Sequence, residues 1–453
     1  MKKIIIITFA AIALSSCGIY KPYSRPDVKT DNLFGESVAT TDTTTIGNLQ
    51  WNEVFTDALL QRLIQTGLQN NTDLQIARLR ITQAEASLKA AKLSYFPSVA
   101  LNPQGTVSSF DSSPVSKTYQ LPITANWEID IFGKLTNAKR GQQAALEQSE
   151  AYRQAVQTLL VASIANSYYT LLMLDSQLEI TTHTVTLWEE NVKTMRALKA
   201  AGETNEAAVS QAEANKLSVE ATVVDLKRQI AEVENALCLT LAETPHTVVR
   251  NKLQNQSLPT TLSVGIPLQL LSNRPDVQSA EASLKQAFYA TNGARSYFYP
   301  SITLSGSAGW TNNGGAVISN PSALLWQAVG SLTQPIFNQG RNKARLKIAK
   351  AQQEEAKLTF QQTLLNAGVE VNNALTLYQS AHEKVDLYEK QIGLLESATN
   401  STKLLMRYSS TTYLEVLTAQ QTLLQAQLLQ VSNRFNEIQG VINLYQALGG
   451  GRN

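Results

Sequence analysis

Residues 73–101 lie over residues 276–304 at an offset of 203, without a gap. Nine of the 29 aligned positions are identical: Asp73/Asp276, Gln75/Gln278, Ala77/Ala280, Gln83/Gln286, Ala84/Ala287, Ala91/Ala294, Pro97/Pro300, Ser98/Ser301 and Leu101/Leu304. The match continues at an offset of 205, where Gln157, Thr158, Leu159 and Leu160 meet Gln362, Thr363, Leu364 and Leu365. At an offset of 207, Val209, Ala212, Leu237 and Leu241 meet Val416, Ala419, Leu444 and Leu448. The chain is therefore one unit of about 200 residues written twice, far longer than a solenoid repeat. Whatever one copy folds into, the other must fold into with small insertions.

Most of each copy reads as helix. Residues 142–201 contain neither Gly nor Pro, and neither do residues 203–244. In the second copy residues 341–392 contain only Gly368, and residues 394–439 contain neither. These tracts are rich in Ala, Leu, Gln, Glu and Lys, which are good helix formers. Sixty residues of helix would span about 90 Å, more than an ordinary globular helix. Ala, Ser and Thr are frequent in the apolar stripe, which suits long helices packed closely side by side.

Between the first helix and the long tracts of each copy, the period changes to two. Tyr119, Leu121, Ile123, Ala125, Trp127, Ile129 and Ile131 alternate with Thr118, Gln120, Thr124, Asn126, Glu128 and Asp130. In the second copy Ile302, Leu304, Gly306, Ala308 and Trp310 alternate with Ser301, Thr303, Ser305, Ser307 and Thr311. Each copy supplies two such strands of about ten residues, the length that crosses a bilayer at a tilt. Tyr95, Phe96, Phe132, Tyr297, Phe298, Tyr299 and Phe337 gather at the ends opposite the polar loops, as in an interfacial girdle. A soluble antiparallel sheet with one wet face shows the same alternation. Four strands cannot close a barrel, which needs about eight, and lipid does not tolerate an open edge. Two copies would give a side-chain-filled barrel, and three would leave room for a conduit.

Lys2 and Lys3 precede an apolar run at residues 4–14 that ends in Leu14-Ser15-Ser16-Cys17-Gly18. This pattern predicts a signal peptide cut before a lipid-modified Cys17. Gly18, not Asp, follows the cysteine, which favours the outer membrane. The other cysteine, Cys238, then has no intrachain partner and fits an apolar core position. Lys+Arg 38 against Asp+Glu 36 gives no argument for nucleic acid. His183, His246 and His382 are too scattered for a metal centre or a catalytic triad, and Gly449-Gly450-Gly451 lacks the Lys of a phosphate loop. No cofactor, metal or enzymatic activity is expected beyond the lipid on Cys17.

Several motifs in order carry a resemblance. They are Asn273-Arg274-Pro275-Asp276-Val277, Trp127-Glu128-Ile129-Asp130-Ile131-Phe132-Gly133-Lys134, Pro335-Ile336-Phe337-x-x-Gly340-Arg341, Tyr413-Leu414-Glu415-Val416-Leu417 and Asn443-Leu444-Tyr445-Gln446-Ala447-Leu448-Gly449-Gly450-Gly451. Together they resemble the TolC-like outer-membrane factors of tripartite efflux pumps, in the lipoprotein branch serving resistance–nodulation–division pumps. The resemblance implies a mainly α fold with a membrane β-barrel. Three chains would give four strands each to a 12-stranded barrel, and their coiled-coil helices would form an α-barrel in the periplasm. It implies a homotrimer, docked to a periplasmic adaptor protein and an inner-membrane pump, with outer-membrane lipid around its strands. Expected segments are a signal peptide at 1–16 and a tether with equatorial residues at 17–68. A first repeat follows at 69–245, with a hairpin at about 95–132 and a helix pair at about 134–244. A linker at 246–272 leads to a second repeat at 273–448, with a hairpin at about 297–337 and a helix pair at about 340–448. A tail at 449–453 ends the chain.

In that family the helix tips close a periplasmic aperture. Glu415 matches an acidic position of the family pattern, and Tyr408 is a candidate constriction residue. Thr418 stands where the related pattern often has Asp, a departure from a two-ring acidic gate. The different class of function open to the same residues is a periplasmic coiled-coil lipoprotein acting as adaptor or spacer.

Overall fold

The computed structural model describes residues 20, 22–27, 49–111, 113–257, 274–312, 324–408 and 413–451. The expected signal peptide, Cys17, most of the tether, Asn273, much of the linker and the tip at 409–412 lie outside the described residues.

The described elements start with α1 (Trp51–Val54), α2 (Ala58–Asn70) and α3 (Thr72–Leu93). Strands β1 (Ser98–Leu101), β2 (Gln104–Ser108) and β3 (Ser116–Ile129) lead into α4 (Lys134–Ala200) and α5 (Glu206–Leu241). The second copy repeats the order with α6 (Pro275–Ser296), β4 (Ser301–Thr311), β5 (Leu324–Thr333), α7 (Arg341–Arg407) and α8 (Tyr413–Ala447). The two long helices, α4 and α7, have 67 residues each. At 1.5 Å per residue each runs about 100 Å.

Several Thr and Ser of α4 are satisfied within the helix itself. The hydroxyls of Thr170, Ser176, Thr181 and Thr184 each donate to the carbonyl four residues back. That local bond lets Thr181 be fully buried without an orphaned polar atom.

Five strand segments stand where four were expected, because Pro122 of β3 interrupts the ladder to its neighbour. The β1–β3 register pairs Leu101 with Ile123, and the β2–β3 register resumes at Gln104 with Gln120, without a slip. Between them Asn102 N–H still donates to Pro122 O at 3.0 Å. Pro122, opposite Asn102, has no N–H to return to Asn102 O, so the ladder opens for two residues and closes again.

Duplication is visible at the level of single hydrogen bonds. Asn71 Nδ2 donates to Thr240 O at 2.9 Å, and Arg274 Nη1 donates to Ala447 O at 2.7 Å. Asn71 and Arg274 are 203 apart, and Thr240 and Ala447 are 207 apart, the two offsets read from the sequence. Buried Asn137 and Asn342 likewise sit early in α4 and α7 and donate to Gly133 O and Tyr297 O, both at 2.6 Å.

The copies are not separate folding bodies. One compact unit takes Leu79–Ala151 from the first copy and Gln278–Gln362 from the second, with all the strands. The other takes Tyr152–Val277 and Thr363–Asn453 and contains most of the large buried side chains, among them Trp188, Tyr168 and Tyr445.

Candidate functional site

The strand registers decide which side chains share a face. Leu121 pairs with Trp310, Ile123 with Ala308, Ala125 with Gly306, Trp127 with Leu304 and Ile129 with Ile302. Across β4 and β5, Trp310 pairs with Leu324, Ala308 with Trp326 and Ile302 with Leu332. Residues directly opposite in an antiparallel pair point the same way, so both copies place their apolar sets on one continuous face. That face is exposed: Val99 is 67 %, Ile123 51 % and Trp326 74 % accessible. On β3 and β4 the other face is polar, with Thr124, Asn126 and Glu128 opposite Ser307, Ser305 and Thr303, and on β5 it is mixed, with Leu325 and Val329 beside Gln327 and Ser331. In water such an apolar face would be an aggregation hazard; against acyl chains it is the favourable surface.

The two copies meet inside the sheet along β3 and β4, while β1/β2 and β5 form its edges. At the β3–β4 seam the backbones are so close that a Cβ on Gly309 would lie 2.2 Å from Leu121 O. Among the described residues the outer edges of β1/β2 and β5 have no strand beside them.

Of the expected girdle residues, Phe96, Tyr297, Phe298, Tyr299 and Phe337 are exposed, with Phe337 at 85 %. Tyr95, Phe132, Tyr297 and Tyr299 also make contacts at the strand–helix junction. Tyr95 accepts a bond from Trp127 Nε1 at 2.8 Å through its carbonyl, and its hydroxyl meets Thr136 Oγ1 at 2.9 Å. Phe132 stacks on Tyr299 at 5.0 Å, and Arg345 lies 3.9 Å over the Tyr297 ring. At this junction Asp130 accepts from the backbone N–H groups of Leu135 and Thr136, and Lys134 Nζ binds Glu128 at 2.8 Å.

At the first helix tip, α4 ends with Gly202 at φ 75°. Gly202 N–H donates to Lys199 O and Glu203 N–H to Leu198 O, the paired bonds of a Schellman stop. Asn205 then caps α5 by accepting from Ala208 N–H. Val192, Met195, Val209 and Ala212 form a buried cluster here, and Met406 and Tyr413 of the second tip pack against it. Tyr413 thus ends with its hydroxyl buried and unpartnered among the described residues. Burial pushes its pKa up to about 12, so it stays neutral. Glu415 and Thr418 lie on the exposed side of α8, one turn apart, opposite buried Val416 and Leu417. Thr418 Oγ1 donates to Leu414 O at 2.9 Å, and Tyr408 is 80 % exposed. The structure thus places Glu415, Thr418 and Tyr408 at one tip and the aromatic residues at the strand ends.

Two anchoring networks escaped the sequence reading. Asp57 is nearly buried and accepts from Leu59 N–H, Tyr168 Oη at 2.7 Å, Asn251 Nδ2 at 3.0 Å and Gln256 Nε2 at 2.9 Å. Burial alone would raise its pKa, but these bonds to the charged form outweigh it and hold the carboxyl below its ordinary value. Arg274 is 6 % exposed and holds Asp276 at 2.7 Å, Glu370 at 2.6 Å and Ala447 O. The only advance sign of the second network was the Arg-Pro-Asp motif itself; nothing in sequence spacing pairs Asp57 with partners almost 200 residues away. Cys238 is buried and free, 3.5 Å from His246 Nδ1. No cluster of metal-ligating side chains occurs among the described residues, and none of the described helices is long and apolar enough to cross a membrane.

The sequence pattern of the outer membrane efflux proteins matches residues 63–243 and 266–450. The chain is 28% identical to the cation efflux system protein CusC of Escherichia coli K12, over 97% of this chain and 98% of that one. It is 27% identical to the probable outer membrane lipoprotein SilC of Salmonella typhimurium, over 97% and 96%. A crystal structure of CusC superposes with a TM-score of 0.88 at 27% identity, covering 96% of this chain and all of that one. The open state of the Neisseria gonorrhoeae MtrE outer membrane channel gives 0.87 at 26% identity, covering 96% and 99%.

Proposed function

The chain belongs to the outer membrane efflux protein family, and from that premise we propose that it is the exit duct of a tripartite efflux pump in the outer membrane. The observation that carries this reading is the sheet, whose registers gather the main apolar set on one face and leave the outer edges of β1/β2 and β5 without a neighbouring strand among the described residues. Unpaired edges are not tolerated in lipid, and a four-stranded ribbon is too narrow to close on itself. Three copies joined edge to edge give twelve strands around a polar lumen. Cys17 carries the lipid anchor, and the exposed aromatics Phe96, Phe298 and Phe337 lie at the inner headgroup level. An inner-membrane pump loads the duct, and a periplasmic adaptor protein docks at its helix tips.

The duct moves cargo without making or breaking a covalent bond. Glu415 lines the periplasmic aperture, where three carboxylates around one axis favour cations. Tyr408 and Thr418 lie beside it. Relatives of nearly equal identity are named for cations and for toluene, so similarity does not select a cargo.

The test is reconstitution of the full lipoprotein in planar bilayers, with its mass measured in detergent. A three-chain particle with discrete conductance is expected. A monomer without conductance would instead fit a periplasmic adaptor or spacer.

A further inference from the structure

The two strand–helix junctions differ in charge. In the first copy Lys134 is neutralised by Glu128, and Asp130 caps the start of α4. The second copy has no counterpart to either acid: residues 282–353 contain no Asp or Glu at all, and seven Lys or Arg. Arg341 and Arg345, one turn apart at the start of α7, pair with no carboxylate among the described residues. The helix they open is capped only by neutral Asn338, whose side-chain oxygen accepts from Asn342 N–H. A helix N-terminus carries partial positive charge and ordinarily attracts acids. Here two cations are added to it, at a cost in local stability, and no carboxylate among the described residues compensates them.

The position of these cations follows from contacts. Glu128 belongs to the polar face of β3 and holds Lys134. Lys134 lies 5.4 Å from the Tyr297 ring, and Arg345 lies 3.9 Å over that same ring. Lys134, Tyr297, Arg341 and Arg345 line one open recess of about 1050 Å³, between α4, α6 and α7. The recess therefore continues the polar face of the sheet and not its apolar one. Lys343, Lys347 and Lys350 lie on another stripe of α7 and do not line it.

We infer that this recess is an anion-binding collar, in which Arg341 and Arg345 draw phosphate- or carboxylate-bearing ions to the mouth of the strand region. The inference rests on the polar face lining the conduit. Three copies would place six uncompensated guanidinium groups around one axis, a ring of the sign that admits anions. A planar, permanently charged guanidinium suits oxyanions in particular.

The experiment compares reversal potentials of the full protein in a KCl gradient. Arg341→Gln with Arg345→Gln should raise the K⁺ to Cl⁻ permeability ratio by about twofold, and by less at high salt, where fixed charges are screened. Lys343→Gln with Lys347→Gln and Lys350→Gln removes more charge from the same helix and should leave the ratio within error. Inorganic triphosphate should reduce current through the unsubstituted protein and not through the Arg341/Arg345 variant. Equal shifts from both variants, or none from the first, would overturn the collar while leaving the duct intact. A complete absence of current from the unsubstituted protein would overturn the duct, and the collar with it.

Discussion

The first copy and the second copy perform the same structural task with different chemistry. Where the first copy turns from α2 into α3, neutral Asn71 reaches Thr240 O; at the matching place Arg274 reaches Ala447 O and adds Asp276 and Glu370. Where α5 stops, Ala242 takes the left-handed conformation at φ 58°; where α8 stops, Gly449 takes it at φ 72°. At the tips, Ala208 of the first copy stands where the second has Glu415. Backbone requirements are retained across the duplication, whereas charge is placed differently: Arg274 and Glu415 have neutral counterparts in the first copy, and Glu128 and Asp130 have no acidic counterpart in the second. The lesson is that the copies are equivalent as scaffolding and unequal as electrostatics.

The largest expected break in this comparison is at the anchors. Arg274→Ala removes three partners, but Asp276 and Glu370 are half exposed and recover water. A loss of about 2–3 kcal/mol is therefore expected, below the range for a fully buried pair. Asn71→Ala, which loses the Thr240 bond and the cap on Leu74 N–H, should cost about 1–2 kcal/mol. Denaturant unfolding of the detergent-solubilised protein measures both, and equal losses would show that the added charge contributes nothing.

A smaller effect with opposite signs is expected at the helix stops. Ala242→Gly relieves a left-handed alanine and should stabilise by about 0.5–1 kcal/mol, while Gly449→Ala should destabilise by about 1 kcal/mol. Two shifts of the same sign in the thermal midpoints would mean the stops are not equivalent.

The smallest effect, at the tips, bears on function and not on stability. Glu415→Ala gives the second tip the residue of the first and should weaken cation selectivity of the purified channel, with unfolding unchanged. Unchanged reversal potentials would remove Glu415 from the aperture.

Much of the fold was legible in the sequence because it rests on local periodicity and on repetition. The long helices follow from tracts nearly free of Gly and free of Pro, although they run on through Gly141, Gly368 and Gly393, and the sheet faces follow from alternation. Pro122 was visible as a residue, but its effect, a gap of two in an otherwise unbroken register, depends on which neighbouring strand its missing N–H faces. The aromatics were legible as a group at the strand ends, but the contacts some of them make, Phe132 on Tyr299 and Arg345 over Tyr297, were not.

The sequence by itself determined the duplication, the element types and the two-faced strands, because each depends on residues a few positions apart or on copies at a constant offset. Only the tertiary structure decided that the copies interleave, with β3 of one against β4 of the other, and that Asp57 would gather Tyr168, Asn251 and Gln256. It also decided that Arg345 would cover Tyr297 while Glu128 took Lys134. Those pairings join residues tens to hundreds of positions apart, and no period in the chain encodes which charge is left without a partner once the helices have packed.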